Sequence, residues 1–260
     1  MDDSQALEAA RILHSAWRDK TLVPGLPESC RPQNLDDGYQ IQAVLEGLHG
    51  TPVVGYKIGA TNEAAQRIFD VDSPFFGRLF EPALRTSPAE IPTGAVILHI
   101  IEAEFDFTMS GDLPPRDDPY RRDEVMAKVE NLMPAIEIPD SRYENWREAG
   151  MPQLVADNAI ASLLVLGEPA RNWRDLDLSR HSLAVKVNGE TVDEGVGANV
   201  LGDPRAALTW LANALSERGM GLEAGQIVTT GSAANVIKVN PGDTVVADFG
   251  DLGMAEANFG

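Results

Sequence analysis

Two rhythms of apolar and polar residues divide the chain. Over residues 4–19, Leu7, Ala10, Leu13 and Trp17 recur every three or four positions, which predicts an amphipathic helix capped by Ser4. A second helix is predicted from Asn34 to a stop at Gly50, with Ile41, Val44, Leu45 and Leu48 inward. Pro24, Gly25 and Pro27 mark the loop between them. From residue 52 the period becomes two. Residues 52–61 predict a strand with Val54, Tyr56 and Ile58 on one face and Val53, Gly55, Lys57 and Gly59 on the other. A short capped helix over 61–67 and an apolar loop over 71–80, either a lid or core, follow.

Residues 96–107, rich in β-branched and aromatic side chains, predict the central strand. A loop over 108–120 leads to a helix predicted from Arg121 to Met133 and closed by Pro134. Further strands are predicted over 135–143, 157–167 and 227–232, with a hairpin about Asn188-Gly189 and a terminal strand pair about Gly250-Asp251. A last helix spans 204–218 and stops at Gly219. No repeat or linker interrupts this order. The expectation is one domain over 1–260, with a helical region (1–50) followed by a mainly β catalytic core (51–260).

Composition narrows the function classes. Forty acidic residues against 21 basic ones give a net charge of −19, which disfavours nucleic acid and anionic membranes as partners. The single cysteine, Cys30, excludes an internal disulfide and a cysteine-rich metal site. No leader and no apolar run of spanning length is present, so a soluble cytoplasmic protein is expected.

The chemistry concentrates on the predicted strands. Glu102 and Glu104 are two residues apart on one strand, so they project to one face with Cα atoms roughly 6.5 Å apart. Buried side by side, two carboxylates repel unless a cation or a proton is shared, and a hard divalent ion with oxygen ligands fits such a pair. A strand end turning into solvent with two exposed acids has the same spacing. Glu137, between Ile136 and Ile138, needs a partner if buried, and the same ion is a candidate. Lys57 lies between two glycines, which leaves open space around its amine. In a partly desolvated pocket its pKa falls and it can move a proton; on an edge strand it is merely solvated. The glycine turn at Thr230-Gly231-Ser232 offers backbone N–H groups to a carboxylate.

Gly55-Tyr56-Lys57-Ile58-Gly59, Phe76-Gly77 with Leu79, Glu102-Ala103-Glu104, Pro134 through Arg142, Ala156-Asp157-Asn158-Ala159 and Thr230-Gly231 occur in this order over nearly the whole chain. The chain thereby resembles the 2-keto-4-pentenoate hydratase and 4-oxalocrotonate decarboxylase branch of the fumarylacetoacetate hydrolase superfamily. The resemblance implies an α+β fold: a mixed, mainly β roll with peripheral helices and an N-terminal helical region. It implies one Mg²⁺ or Mn²⁺ ion on Glu102, Glu104 and Glu137, with Lys57 as the proton-moving residue. It places Phe75, Leu79, Arg142, Asp157, Ile160, Gly231 and Ser232 at a small 2-oxo acid substrate. The activity implied is lyase chemistry in aromatic or related catabolism, by a homo-oligomer that can associate with a sister hydratase or decarboxylase.

Two departures bear on the reaction. Hydratases of the branch usually carry Pro-Asp-Phe-Gly where this chain has Pro74-Phe75-Phe76-Gly77. The decarboxylases have an apolar residue there, and the run Asp140 to Asn145 also matches theirs. Ile160 stands where both groups usually have serine, which implies a more hydrophobic substrate tail. Hydration leads as the commoner activity, with decarboxylation close behind and a non-catalytic partner subunit as a further alternative. C–C bond hydrolysis ranks last, because alternation turns His99 away from Glu102.

Overall fold

The computed structural model describes residues 1–260. The elements run α1 (Asp3–Asp19), α2 (Leu35–His49), β1 (Val53–Gly59), α3 (Glu63–Phe69), β2 (Phe75–Phe80), β3 (Leu84–Thr86), β4 (Ala89–Ile91), β5 (Ile100–Met109), α4 (Arg122–Met126) and β6 (Val129–Ile138). They continue with α5 (Met151–Ala156), β7 (Leu163–Leu166), β8 (Ser182–Val187), β9 (Glu190–Val196), α6 (Pro204–Ser216), β10 (Ile227–Ser232), β11 (Ile237–Lys238), β12 (Thr244–Asp248) and β13 (Met254–Phe259). The strands form two mixed sheets. One has eight strands in the order β2-β1-β10-β5-β6-β7-β3, with β11 paired to β5; the other has five, β4-β13-β12-β8-β9. The fold is α+β and mainly β, with helices at the periphery. No helix is long and apolar enough to cross a membrane.

The two faces of the large sheet differ in character, and this positions the site. One face presents Tyr56, Ile58, Ala103, Phe105, Phe107, Ile136 and Val228 to the main core, shared with α6 and the inner side of the smaller sheet. Each leucine of α6 buried there, such as Leu208 or Leu211, contributes about 2 kcal/mol. The opposite face holds only a small apolar cluster of Leu79, Ala135 and Leu164. The charged residues of the strands gather on that face. The N-terminal helices build a separate core with α5, Phe75 and Ile160.

Local chemistry explains most element ends. Asp2, not Ser4, caps α1: its carboxylate accepts from Gln5 N at 2.9 Å, and the Gln5 side chain accepts from Asp2 N. Asn34 caps α2, and Gly50 ends it in the left-handed region at φ +66°. The Asn188-Gly189 hairpin forms with both residues at positive φ, as a type I′ turn requires. Trp17, expected inward, is 41% exposed, because the buried stripe of α1 runs through Ala6, Ala9, Ala10, Leu13 and Ala16 instead.

Four expectations are corrected. Residues 75–80 are not loop but strand β2, buried at all six positions; covered on both faces, it shows no alternation. The helix expected over Arg121–Met133 stops at Met126, and Val129 onward is strand β6, running through Pro134. Pro134 is tolerated because its missing N–H lies on the β7 side, one residue beyond the last β6–β7 pair at Ala135–Leu166; its carbonyl there accepts from Gly167 N at 2.8 Å. The central strand begins at Ile100 rather than Val96. The segment from Asp157 is not a strand until Leu163. Asn158, Ala159 and Ile160 form a turn with φ of 52°, 53° and 55°, all left-handed.

That turn packs against β2. A Cβ on Gly77 would lie 2.2 Å from the Asn158 carbonyl oxygen, which is backbone and cannot swing away. Gly77→Ala is therefore expected to lower unfolding free energy by about 3 kcal/mol. Urea denaturation reads this as an earlier midpoint at unchanged slope.

Candidate metal and proton-transfer site

Sheet register brings the singled-out residues together. Lys57 sits mid-strand in β1, opposite Gly77 of β2 and Thr229 of β10. Glu102 of β5 lies directly opposite Glu137 of β6, and Glu104 follows two residues on, on the same face. Carboxylate oxygens of Glu102, Glu104 and Glu137 lie within 4.8 Å of one another. Lys57 Nζ is 3.2 Å from Glu137 Oε1. Glu104 and Glu137 are fully buried and Lys57 is 2% exposed, whereas Glu102 is half-buried at the edge of the cluster.

A break in β10 shapes the floor. The β5–β10 register shifts between Thr229 and Ser232, and Gly231 turns to φ +98°. A Cβ at Gly231 would meet Thr61 Oγ1 at 2.1 Å, so only glycine fits. The turn donates Gly231 N–H to Glu104 Oε2 at 2.7 Å, and the Thr229 hydroxyl donates to the same oxygen. The carboxylate held by this glycine turn thus belongs to the protein itself.

The electrostatics are those of crowded anions around one cation. Burial pushes the Glu137 carboxyl up to about 7, against the pull of Lys57. Burial, and then the charges of Glu137 and Glu102, raise Glu104 well above the carboxylate range. The expected fall in the Lys57 pKa does not occur in this cluster. Burial works against the ammonium, but Glu137, Glu102 and Glu104 outweigh it and hold its pKa above the usual lysine value. The space over the two flanking glycines is filled, so the opening beside Lys57 is not made by them. A Cβ on Gly55 would lie 1.9 Å from Ile227 O, and one on Gly59 would lie 2.5 Å from the Phe75 ring.

The donor set fits a hard divalent cation. Glu104 Oε1 and Glu137 Oε2 are buried without any hydrogen-bond partner, an expensive state for carboxylate oxygens that an oxygen-seeking ion relieves. Glu102 faces a cavity of about 360 Å³ whose wall also includes Lys57, Phe75, Ile160 and Ser232. Glu104 and Glu137 lie beneath that wall.

The remaining expected substrate residues lie elsewhere. Leu79 packs with Ala135 and Leu164. Arg142 and Asp157 form a buried ion pair, in which Asp157 also accepts from Ser141 Oγ at 3.0 Å, and both face a different cavity. Three residues near the site were not singled out from the sequence. Asp106, fully buried with neither oxygen bonded, continues the Glu102–Glu104 alternation, and burial raises its pKa well above the usual range. Trp146 and Arg147 line the lysine cavity from a single 3₁₀ turn, Trp146–Glu148, too short to show a periodicity, with the Arg147 guanidinium 4.3 Å over the Trp146 ring. No histidine lines this cavity; His99 precedes β5 and faces a shallower one.

Comparison with known proteins agrees with the geometry. A family model described as fumarylacetoacetate (FAA) hydrolase C-terminal matches residues 83–259. The chain is 33% identical to a 2-keto-4-pentenoate hydratase of Paraburkholderia xenovorans (strain LB400), over 100% of this chain and 96% of that protein. It is 31% identical to a 4-oxalocrotonate decarboxylase of Pseudomonas sp. (strain CF600), over 98% and 97%. Among solved structures, 4-oxalocrotonate decarboxylase from Pseudomonas putida G7, complexed with magnesium and adipate, superposes with a TM-score of 0.92 at 28% identity, over 100% of this chain and 98% of that one. The chain belongs to the fumarylacetoacetate hydrolase family, in the branch that holds the 2-keto-4-pentenoate hydratases and 4-oxalocrotonate decarboxylases.

Proposed function

We propose that the protein is a divalent-metal-dependent lyase acting on unsaturated 2-oxo acids, with hydration of a 2-hydroxy-2,4-dienoate as its reaction. The observation that carries this is the convergence of three carboxylates, two with unpartnered oxygens, on a buried lysine at the floor of a cavity. Glu102, Glu104 and Glu137 would hold the cation, Mg²⁺ or Mn²⁺. When bound, it supplies Lewis-acid polarisation of the substrate's 2-oxygen and charge neutralisation for its carboxylate.

The chain's own residues supply the rest. Lys57 Nζ lies 3.2 Å from Glu137 Oε1; once the ammonium has passed one proton to that carboxylate, the neutral amine can take the 2-hydroxyl proton and deliver it to C5. That shift leaves a C2 carbonyl conjugated to the C3–C4 double bond. Water then adds its hydroxyl to C4 and its hydrogen to C3. Phe75 and Ile160 exclude bulk water from the floor and give the substrate tail an apolar wall.

Phe75 also favours a second reading, decarboxylation. Its buried ring covers Gly59 and offers no carboxylate to orient water. In that reaction the C5–C6 bond of a 2-oxo-enedioate breaks, CO₂ leaves, and the electron pair moves to the 2-oxygen. The absence of a histidine from the lysine cavity speaks against hydrolytic C–C cleavage. Supplying Mg²⁺ with both substrate types, while following ultraviolet absorbance and CO₂ together, separates the two: absorbance lost without gas supports hydration, and CO₂ release supports decarboxylation. Turnover of neither would reject both.

Two substitutions test the roles. Glu104→Gln should abolish Mg²⁺-dependent turnover with an unchanged far-ultraviolet circular dichroism spectrum; parental activity at saturating Mg²⁺ would refute the ligand role. Lys57→Met should lower kcat by roughly 10²–10⁴-fold. It should leave Mn²⁺ binding, read by electron paramagnetic resonance, in place.

A further inference from the structure

A second cavity, also of about 360 Å³, opens on the other side of the Asp157–Ile160 turn. Ile160 faces the lysine cavity, whereas Asp157, Asn158 and Ala161 face this one. Much of its wall comes from α1, α2 and the end of β2, outside the residues 83–259 that the family model covers.

One side of the cavity is an aromatic ladder. The Trp17 ring lies edge-on to His49 at 4.3 Å, and His49 stacks on Phe80 at 3.9 Å. Burial holds the His49 pKa down to about 4, so this wall is uncharged at neutral pH. The cavity also carries positive charge without acidic partners. Arg18 and Arg78 are taken up by Asp19 and Glu46, but Lys20 Nζ donates only to the Gly94 and Ala95 carbonyls, and Arg85 only to those of Pro82 and Leu84. Neither has an acidic partner. Arg142, 3% exposed, is paired with Asp157 yet keeps Nη1 without any partner. The remaining acid of the wall, Asp140, accepts from the Ile97 and Leu98 amides.

An aromatic surface in the same cavity as cations without acidic partners, in a chain of net charge −19, complements a molecule that joins a ring to an anionic group. We infer that this cavity is a binding site for an aromatic carboxylate, separate from the lysine site. The ring lies against Trp17, His49 and Phe80, and the carboxylate meets Lys20 and Arg85. The metal-site carboxylates take no part.

Isothermal titration of the full-length protein with benzoate tests this. Saturable binding is expected. Benzyl alcohol, with the ring but no charge, and acetate, with the charge but no ring, should each bind at least about tenfold more weakly. Trp17→Ala and Arg85→Ala alter exposed or half-exposed side chains and should each weaken benzoate by about tenfold or more. Lys57→Met should leave its affinity unchanged. Loss of benzoate binding in Lys57→Met would reassign it to the lysine cavity and overturn the inference. So would equal affinity in both wall variants, or no saturation at all.

Discussion

Three carboxylates share one sheet face with a single ammonium, and the rest of the structure accommodates that conflict. At an effective dielectric near 20, two like charges about 4 Å apart repel by about 4 kcal/mol. Lys57 can offset one such repulsion among Glu102, Glu104 and Glu137, not all of them. The scaffold therefore fixes the anions from outside the cluster. The broken register of β10 spends a backbone amide and a threonine hydroxyl on Glu104, and the β5–β6 pairing sets Glu102 against Glu137 with no freedom to separate. What is left over is a demand for two positive charges, and it faces the cavity through Glu102.

The division of labour between the two sheet faces follows from the same demand. Most of the buried aromatic and branched apolar residues of β1, β5, β6 and β10 point to the main core; Val54 and Ile227 pack on the opposite face instead. Their intervening positions hold Lys57, Glu104, Asp106, Thr229 and Glu137, so the strands can be polar on one side without weakening the core on the other. The N-terminal helices rest on the strand pair nearest Lys57. Phe75 and Ile160 belong to both their core and the cavity wall, which links the packing of α1 and α2 to the shape of the site.

Much of this was legible in the sequence because alternation is a local property. The pairing of Glu102 with Glu104, the face shared by Lys57 and its flanking glycines, and the Asn188-Gly189 turn all follow from neighbours one or two residues apart. The same alternation carries on to Asp106. What was not legible depends on long-range pairing. Strand β2 hides its period because both faces are covered, and Pro134 reads as a helix stop unless the end of β7 is known. The separation of Asp157 from Ile160 is invisible in a stretch of chain where only two residues stand between them. Only the turn at Asn158 directs them to different cavities.

That turn has a thermodynamic consequence of its own. Three successive residues other than glycine occupy left-handed backbone geometry, and the last is a β-branched isoleucine, among the side chains least suited to it. Asparagine or glycine at position 160 would relax the backbone but remove the hydrocarbon that bounds the lysine cavity. Conformational ease and pocket shape therefore pull this one position in opposite directions. The native chain has settled in favour of the pocket, at some loss to its own rigidity reserve.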